Sequence, residues 1–143
     1  PSGLPPLTKA YRLHAKAAGA GFTWDDDEEV ERQVEAEWLE LLDARASGSD
    51  KAIEHELGDM IFTLVELGRR MGVKAGNAVD FAANRFRSRF EGMEALAREQ
   101  GLDFKELSLD DKDEPWNEVK AAEPHEQLGH AVDFAAPREN PGA

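Results

Sequence analysis

A chain of 143 residues has the length of one domain, with a core small enough that association with a second copy would help it. Its formal net charge of −13, from 30 acidic against 17 basic residues, argues against broad contact with nucleic acid or an anionic membrane. The absence of cysteine excludes disulfides, thiolate metal sites and cysteine nucleophiles, and no long apolar run suggests a membrane span or secretory signal, so a cytoplasmic protein is expected.

Taken in chain order, Pro5 and Pro6 introduce a first amphipathic helix over residues 7–18, with His14 near its apolar face, ended by Gly19 and Gly21. Trp24 reads as a core plug at the entry to the next helix. Asp25 with Glu28 makes a capping box, and Val30, Val34, Trp38, Leu41 and Leu42 recur at three- and four-residue steps, which predicts a second helix over 26–46. The run Ser47-Gly48-Ser49-Asp50 is a turn, with Gly48 suited to the left-handed conformation and Ser49 or Asp50 to the following N-cap. A third helix over 51–71 carries Ile53, Leu57, Met60, Ile61, Leu64, Leu67 and Met71 in one broad stripe. Gly58 lies in its middle, where glycine costs roughly 1 kcal/mol relative to alanine, and so suggests close approach by a neighbouring backbone. A fourth helix over 75–100 presents Val79, Ala82, Phe86, Phe90, Met93 and Leu96, and Gly101 closes it. A short last helix is predicted from Pro115, and a poorly ordered tail over 124–143. With no strand pattern, the fold class is all-α.

Two carboxylate pairs fall symmetrically about the turn. Glu37 with Glu40 precedes Gly48, and Glu56 with Asp59 follows it, so an antiparallel hairpin sets Glu37 level with Asp59 and Glu40 with Glu56. Four carboxylates then converge. They repel unless neutralised, and hard oxygen ligands select a hard divalent ion, Mg2+ or Mn2+ in its place. Glu56 and Asp59 lie at the border of the apolar stripe, where a side chain can enter a cleft between helices.

Against this acidic background Arg85 and Arg89 share a helix face, and guanidinium groups match phosphate oxygens bidentately. Trp116 and Lys120 form a second i, i+4 pair, an aromatic face with a cation beside it. His55 sits between Glu54 and Glu56 but lacks the spacing of di-iron bundles, and no P-loop or nucleophile elbow occurs.

Several stretches carry a family resemblance: Gly21-Phe22-Thr23-Trp24, the Glu37 and Glu40 pair, residues Glu54 to Phe62, Asn84 to Phe90, and Trp116-Asn117-Glu118-Val119-Lys120. Over about Leu4 to Glu123 the chain resembles the MazG family of nucleoside triphosphate pyrophosphohydrolases, in particular the second of two repeats in longer members. The opening stretch is similar to a linker into that repeat, which suggests a segment of a longer protein. The resemblance implies a helical bundle of four to five helices completed by dimerisation. It implies metal-dependent cleavage of a ribo- or deoxynucleoside triphosphate to the monophosphate and pyrophosphate, by water attack at the α-phosphorus, in nucleotide-pool cleansing. By position, Glu37, Glu40, Glu56 and Asp59 would hold Mg2+, Arg85 and Arg89 would contact phosphates, and Trp116 with Lys120 would close on the nucleotide.

Ala36 departs from the family pattern, which has a further glutamate there as a candidate base. In its place Glu35, Glu54 or metal-bound hydroxide is the expected substitute, with Glu54 also a candidate to support the ligands. The alternative is a catalytically silent module that binds nucleotide and metal, or a dimerising scaffold. Within the enzyme class, dUTP and phosphoribosyl-ATP are the alternative substrates.

Overall fold

The computed structural model describes residues 3–123, and the tail expected over 124–143 lies outside them. The order is α1 (Pro6–Gly19), α2 (Asp27–Ser47), α3 (Asp50–Arg70), α4 (Ala75–Glu99), a 3-10 turn (Phe104–Glu106) and α5 (Leu109–Ala122). No strand occurs among the described residues, as the all-α expectation requires. No helix among them is long and apolar enough to cross a membrane. Two compact units divide at Phe81 and Ala82, within α4.

In the first unit α2 and α3 form the antiparallel hairpin. Gly48 sits at φ +71°, a conformation open to glycine at little cost, and its N–H bonds the Arg45 carbonyl. Ser49 caps α3 by accepting the Ala52 N–H at 3.3 Å. At the far end Arg70 ties the helices, its Nε donating to Asp27 Oδ1 at 2.7 Å and its Nη1 to the Trp24 carbonyl at 3.1 Å. The cap of α2 lies one residue later than the predicted Asp25 and Glu28 box. Asp26 accepts the Glu29 N–H at 2.8 Å, while the Glu29 carboxylate accepts the N–H of Asp25, the residue before the cap, at 3.1 Å. Helix α1 lies against α3, where buried His14 donates from Nε2 to the Phe62 carbonyl at 2.8 Å.

The face that α3 buries is not the apolar stripe. Thr63, Val65 and Glu66 are buried, whereas Leu57, Ile61 and Leu64 stay more than 40% exposed. Gly58 meets no neighbouring backbone, since a Cβ placed there finds nothing within 4 Å. The most apolar surface of α3 is therefore left uncovered by the described elements of the first unit, and Gly58 with it.

In the second unit, the rest of α4 packs with α5 over Met93, Ala97 and Trp116. Gly92 permits this, because a Cβ there would stand 3.0 Å from Val119. Helix α5 begins six residues before the predicted start at Pro115. Ser108 caps it by accepting the Asp111 N–H at 3.1 Å, and Pro115 then falls inside the helix, where it forgoes the bond to the residue 111 carbonyl.

The hairpin turn makes a direct test. Gly48→Ala, which forces a Cβ into the left-handed region, should cost about 1–2 kcal/mol, read as a lower urea midpoint with unchanged helical circular dichroism.

Candidate functional site

The hairpin brings Glu37, Glu40 and Glu56 together, with one oxygen from each lying within 4.8 Å of the others. A second group shares Glu56 and adds Asp59 and His55, the His55 Nε2 standing 3.2 Å from Asp59 Oδ2. All four predicted ligands thus lie on one stretch of the hairpin, but as two overlapping triads. Asp59 turns toward His55, one helical turn back on α3.

Burial divides these groups sharply. Glu37 is 8% exposed. Its Oε1 accepts from Gln33 Nε2 at 2.8 Å, one turn earlier on α2, while its Oε2 and that of Glu56 are buried with no hydrogen-bond partner. Buried carboxylate oxygens without partners are costly, and a cation is the group that satisfies several at once. The donor set, all hard oxygens with one imidazole beside them, fits a divalent ion of the Mg2+ or Mn2+ type. The Glu37 carboxyl titrates above its ordinary value because burial strips water from the anion, and because Glu40 and Asp59 repel it. The Gln33 hydrogen bond works against this rise without cancelling it.

Glu35 and Glu54 are exposed and join neither triad. Each lies two residues from a ligand candidate on its own helix, about 200° round the axis. Ala36 is half-buried and shares the face of Glu40.

The basic and aromatic candidates lie in the second unit. Arg89 is almost fully buried and holds Glu123 bidentately, at 2.6 Å through Nε and 2.9 Å through Nη2. Its guanidinium lies 5.2 Å from the ring centre of Trp116, which is itself buried and 5.9 Å from the Phe86 ring. Arg85 is half-buried and forms no ion pair among the described residues, and Lys120 is half-buried near the end of α5.

One further cluster escaped the sequence reading. In the first unit His14 and Glu66 are both buried, with His14 Nδ1 3.6 Å from Glu66 Oε2. Thr23 and Arg69 also donate to the Glu66 carboxylate. The available signal was a glutamate seven residues after Asp59, two turns on along the same helix face, in a segment otherwise read for its leucines.

The raised Glu37 value sets a pH dependence for the metal-free protein. Folded Glu37 keeps its proton above the ordinary 4.5, so the folded state binds more protons than the unfolded chain. Stability is then greatest below that ordinary value and falls as pH rises through the folded one. Thermal melts from acidic to neutral pH should show this fall in EDTA, a flatter profile for Glu37→Gln, and recovery at neutral pH on adding Mg2+ or Mn2+ to the wild type.

No protein-family model matches the chain. It is 34% identical over 120 residues to the nucleoside triphosphate pyrophosphohydrolase/pyrophosphatase MazG of Thermotoga maritima, covering 84% of this chain and 46% of that protein. It is also 34% identical over 125 residues to the nucleoside triphosphate pyrophosphohydrolase of Escherichia coli K12, covering 86% of this chain and 48% of that protein. A shorter match, 35% over 71 residues, covers half of this chain and 14% of the uncharacterized protein YabN of Bacillus subtilis. The chain spans about half the length of the two longer-matching relatives. With its all-α hairpin, its paired carboxylates and this similarity over most of its length, the chain belongs to the MazG family.

Proposed function

We propose that the domain over residues 1–123 hydrolyses ribo- or deoxynucleoside triphosphates to the monophosphate and pyrophosphate, in cleansing of the cytoplasmic nucleotide pool. The observation that carries this reading is the meeting of Glu37, Glu40 and Glu56 with two buried oxygens that no protein donor satisfies. The names of the Thermotoga maritima and Escherichia coli relatives support the reaction.

A face so rich in carboxylates repels a polyphosphate by itself. Glu37, Glu40, Glu56 and Asp59 would hold Mg2+, or Mn2+ as a substitute, and the ion when bound supplies charge neutralisation on the phosphate oxygens and the departing pyrophosphate. The chain's own part is to hold those carboxylates on rigid helices, with Gln33 orienting Glu37. Water attacking the α-phosphorus must lose its proton to a carboxylate. Glu35, exposed on α2, is the proposed acceptor in place of the absent glutamate at Ala36, with Glu54 supporting the ligands. Arg85 and Arg89 are the proposed phosphate contacts, with Trp116 and Lys120 closing on the nucleotide. For Arg89 this requires exchanging one bidentate anion, Glu123, for another.

The same reading includes a homodimer. Leu57, Ile61 and Leu64 form an exposed stripe on α3, with Leu39 exposed on α2. A second copy is the natural cover for such a surface in a MazG-family chain. Sedimentation should give the mass of two chains for the wild type and of one for Ile61→Asp, a result that an unchanged mass would overturn.

The activity test is release of pyrophosphate and monophosphate from a panel of ribo- and deoxynucleoside triphosphates, with Mg2+ or Mn2+ against EDTA. Paired, metal-dependent release is expected. Glu56→Ala should reduce it by about 1,000-fold or more, as the loss of several kcal/mol of charge stabilisation requires, with helicity retained. Full activity in that variant would remove Glu56 from the ligand set, and nucleotide binding without turnover in the wild type would point to the silent module that Ala36 suggests.

A further inference from the structure

In the second unit, two of the groups proposed to meet the nucleotide are turned toward each other instead. Arg89 is 1% exposed and Trp116 is 4% exposed. The Arg89 guanidinium lies 5.2 Å from the Trp116 ring centre, and the Phe86 ring lies 5.9 Å from the same ring. In this arrangement neither an incoming phosphate nor a base reaches them.

The guanidinium is occupied by a carboxylate. Glu123 accepts from Arg89 Nε at 2.6 Å and from Nη2 at 2.9 Å, two oxygens on two neighbouring N–H groups. A phosphate takes the same bidentate geometry on an arginine. Glu123 thus matches a phosphate both in charge and in how it fills the fork.

Its position in the chain lets it leave. Glu123 follows the last turn of α5 in an extended conformation, with φ −70° and ψ 146°, and its N–H bonds the Lys120 carbonyl at a long 3.3 Å. Its side chain is 14% exposed against 1% for Arg89, so solvent reaches the pair through Glu123. Trp116, Lys120 and Glu123 recur at i, i+4 and i+7, which places them on one face of α5. A movement of the helix end that withdraws Glu123 therefore shifts Lys120 as well. A buried guanidinium left without any anion is strongly disfavoured. Replacement by a second anion avoids that cost, which makes exchange easier than simple opening.

Resting on the pyrophosphohydrolase reading, in which Arg89 takes a phosphate, we propose that Glu123 is an internal competitor for that phosphate. It latches Arg89 and Trp116 in a closed state, and the nucleotide binds by displacing it. A closed state that cannot take ligand raises KM in proportion to its population. The exchange happens at the phosphate end, so its effect is the same for every base.

Glu123→Gln keeps the shape of the side chain and removes its charge. KM for dATP and for dCTP, at saturating Mg2+, should fall together by about tenfold with kcat nearly kept. The melting temperature without nucleotide should also fall, because Arg89 loses its anion, and pyrophosphate with Mg2+ should raise it by more than in the wild type. A lower melting temperature with KM unchanged or raised is the signature of a purely structural ion pair, and overturns the proposal. Glu114→Gln removes one charge from an exposed position on the same helix and should leave KM within about twofold. A tenfold fall there as well would trace the effect to general loss of negative charge and refute the latch. If Glu123→Gln does not fold, Glu123→Asp, too short to hold both guanidinium nitrogens in the same place, decides by the same comparison. If the wild type releases no pyrophosphate, the hydrolysis reading fails separately. The latch is then judged by equilibrium binding of dATP with Mg2+, where tighter binding by Glu123→Gln supports it and equal or weaker binding refutes it.

Discussion

The register of α2 against α3 is the constraint on which the rest of the first unit depends. It is held at one end by Gly48 in the left-handed conformation and at the other by Arg70, which spans from α3 to Asp27 and the Trp24 carbonyl. Successive residues on a helix are separated by about 100°, so a slip of one residue would swing Glu37 or Glu56 away from the shared face. Two fastenings at opposite ends suppress that slip. They also carry the loop before α2 into position, since Thr23 and Trp24 are held by the same guanidinium.

A cluster held this firmly is under electrostatic load. Glu37 and Glu56 each present an oxygen without protein partner or solvent, beside other carboxylates. Packing that served stability alone would bury leucine at such positions, and the surrounding helices have leucines to spare on the opposite side. The arrangement is instead a local violation of burial rules, the kind that sites for charged ligands require. The exposed Leu57, Ile61 and Leu64 are its complement. Helix α3 turns Thr63 and Glu66 inward beside Val65 and leaves Leu57, Ile61 and Leu64 outside.

The second unit shows polar groups satisfied in the opposite way. Arg89 is almost fully buried, yet it has two charge-assisted hydrogen bonds to Glu123 and an aromatic face at Trp116. Such a triad is costly to break piecemeal, because removing one partner strands the others. It anchors the end of α5 to α4, and Gly92 lets the two helices approach closely beside it.

The helices, the turn and the spacing of the carboxylates were legible in the order of residues alone. Those features are local: the 3.6-residue period, a glycine able to adopt positive φ, and pairs three residues apart are all written within a few positions of each other. Family membership was legible for the same reason, in short runs such as Gly21 to Trp24 and Glu54 to Phe62. Cap positions were close but one residue out at α2, where Asp25 and Asp26 offer the same chemistry. The start of α5 was missed because Ser108 competes with Pro115 as the starting signal. Which side chains face one another depends on the packing of the helices. It paired Asp59 with His55, gave Arg89 to Glu123, left the Leu57 stripe exposed, and set Glu66 beside His14 at a distance of 52 residues in sequence. These outcomes depend on how one helix is rotated against another, a relation that no local pattern contains.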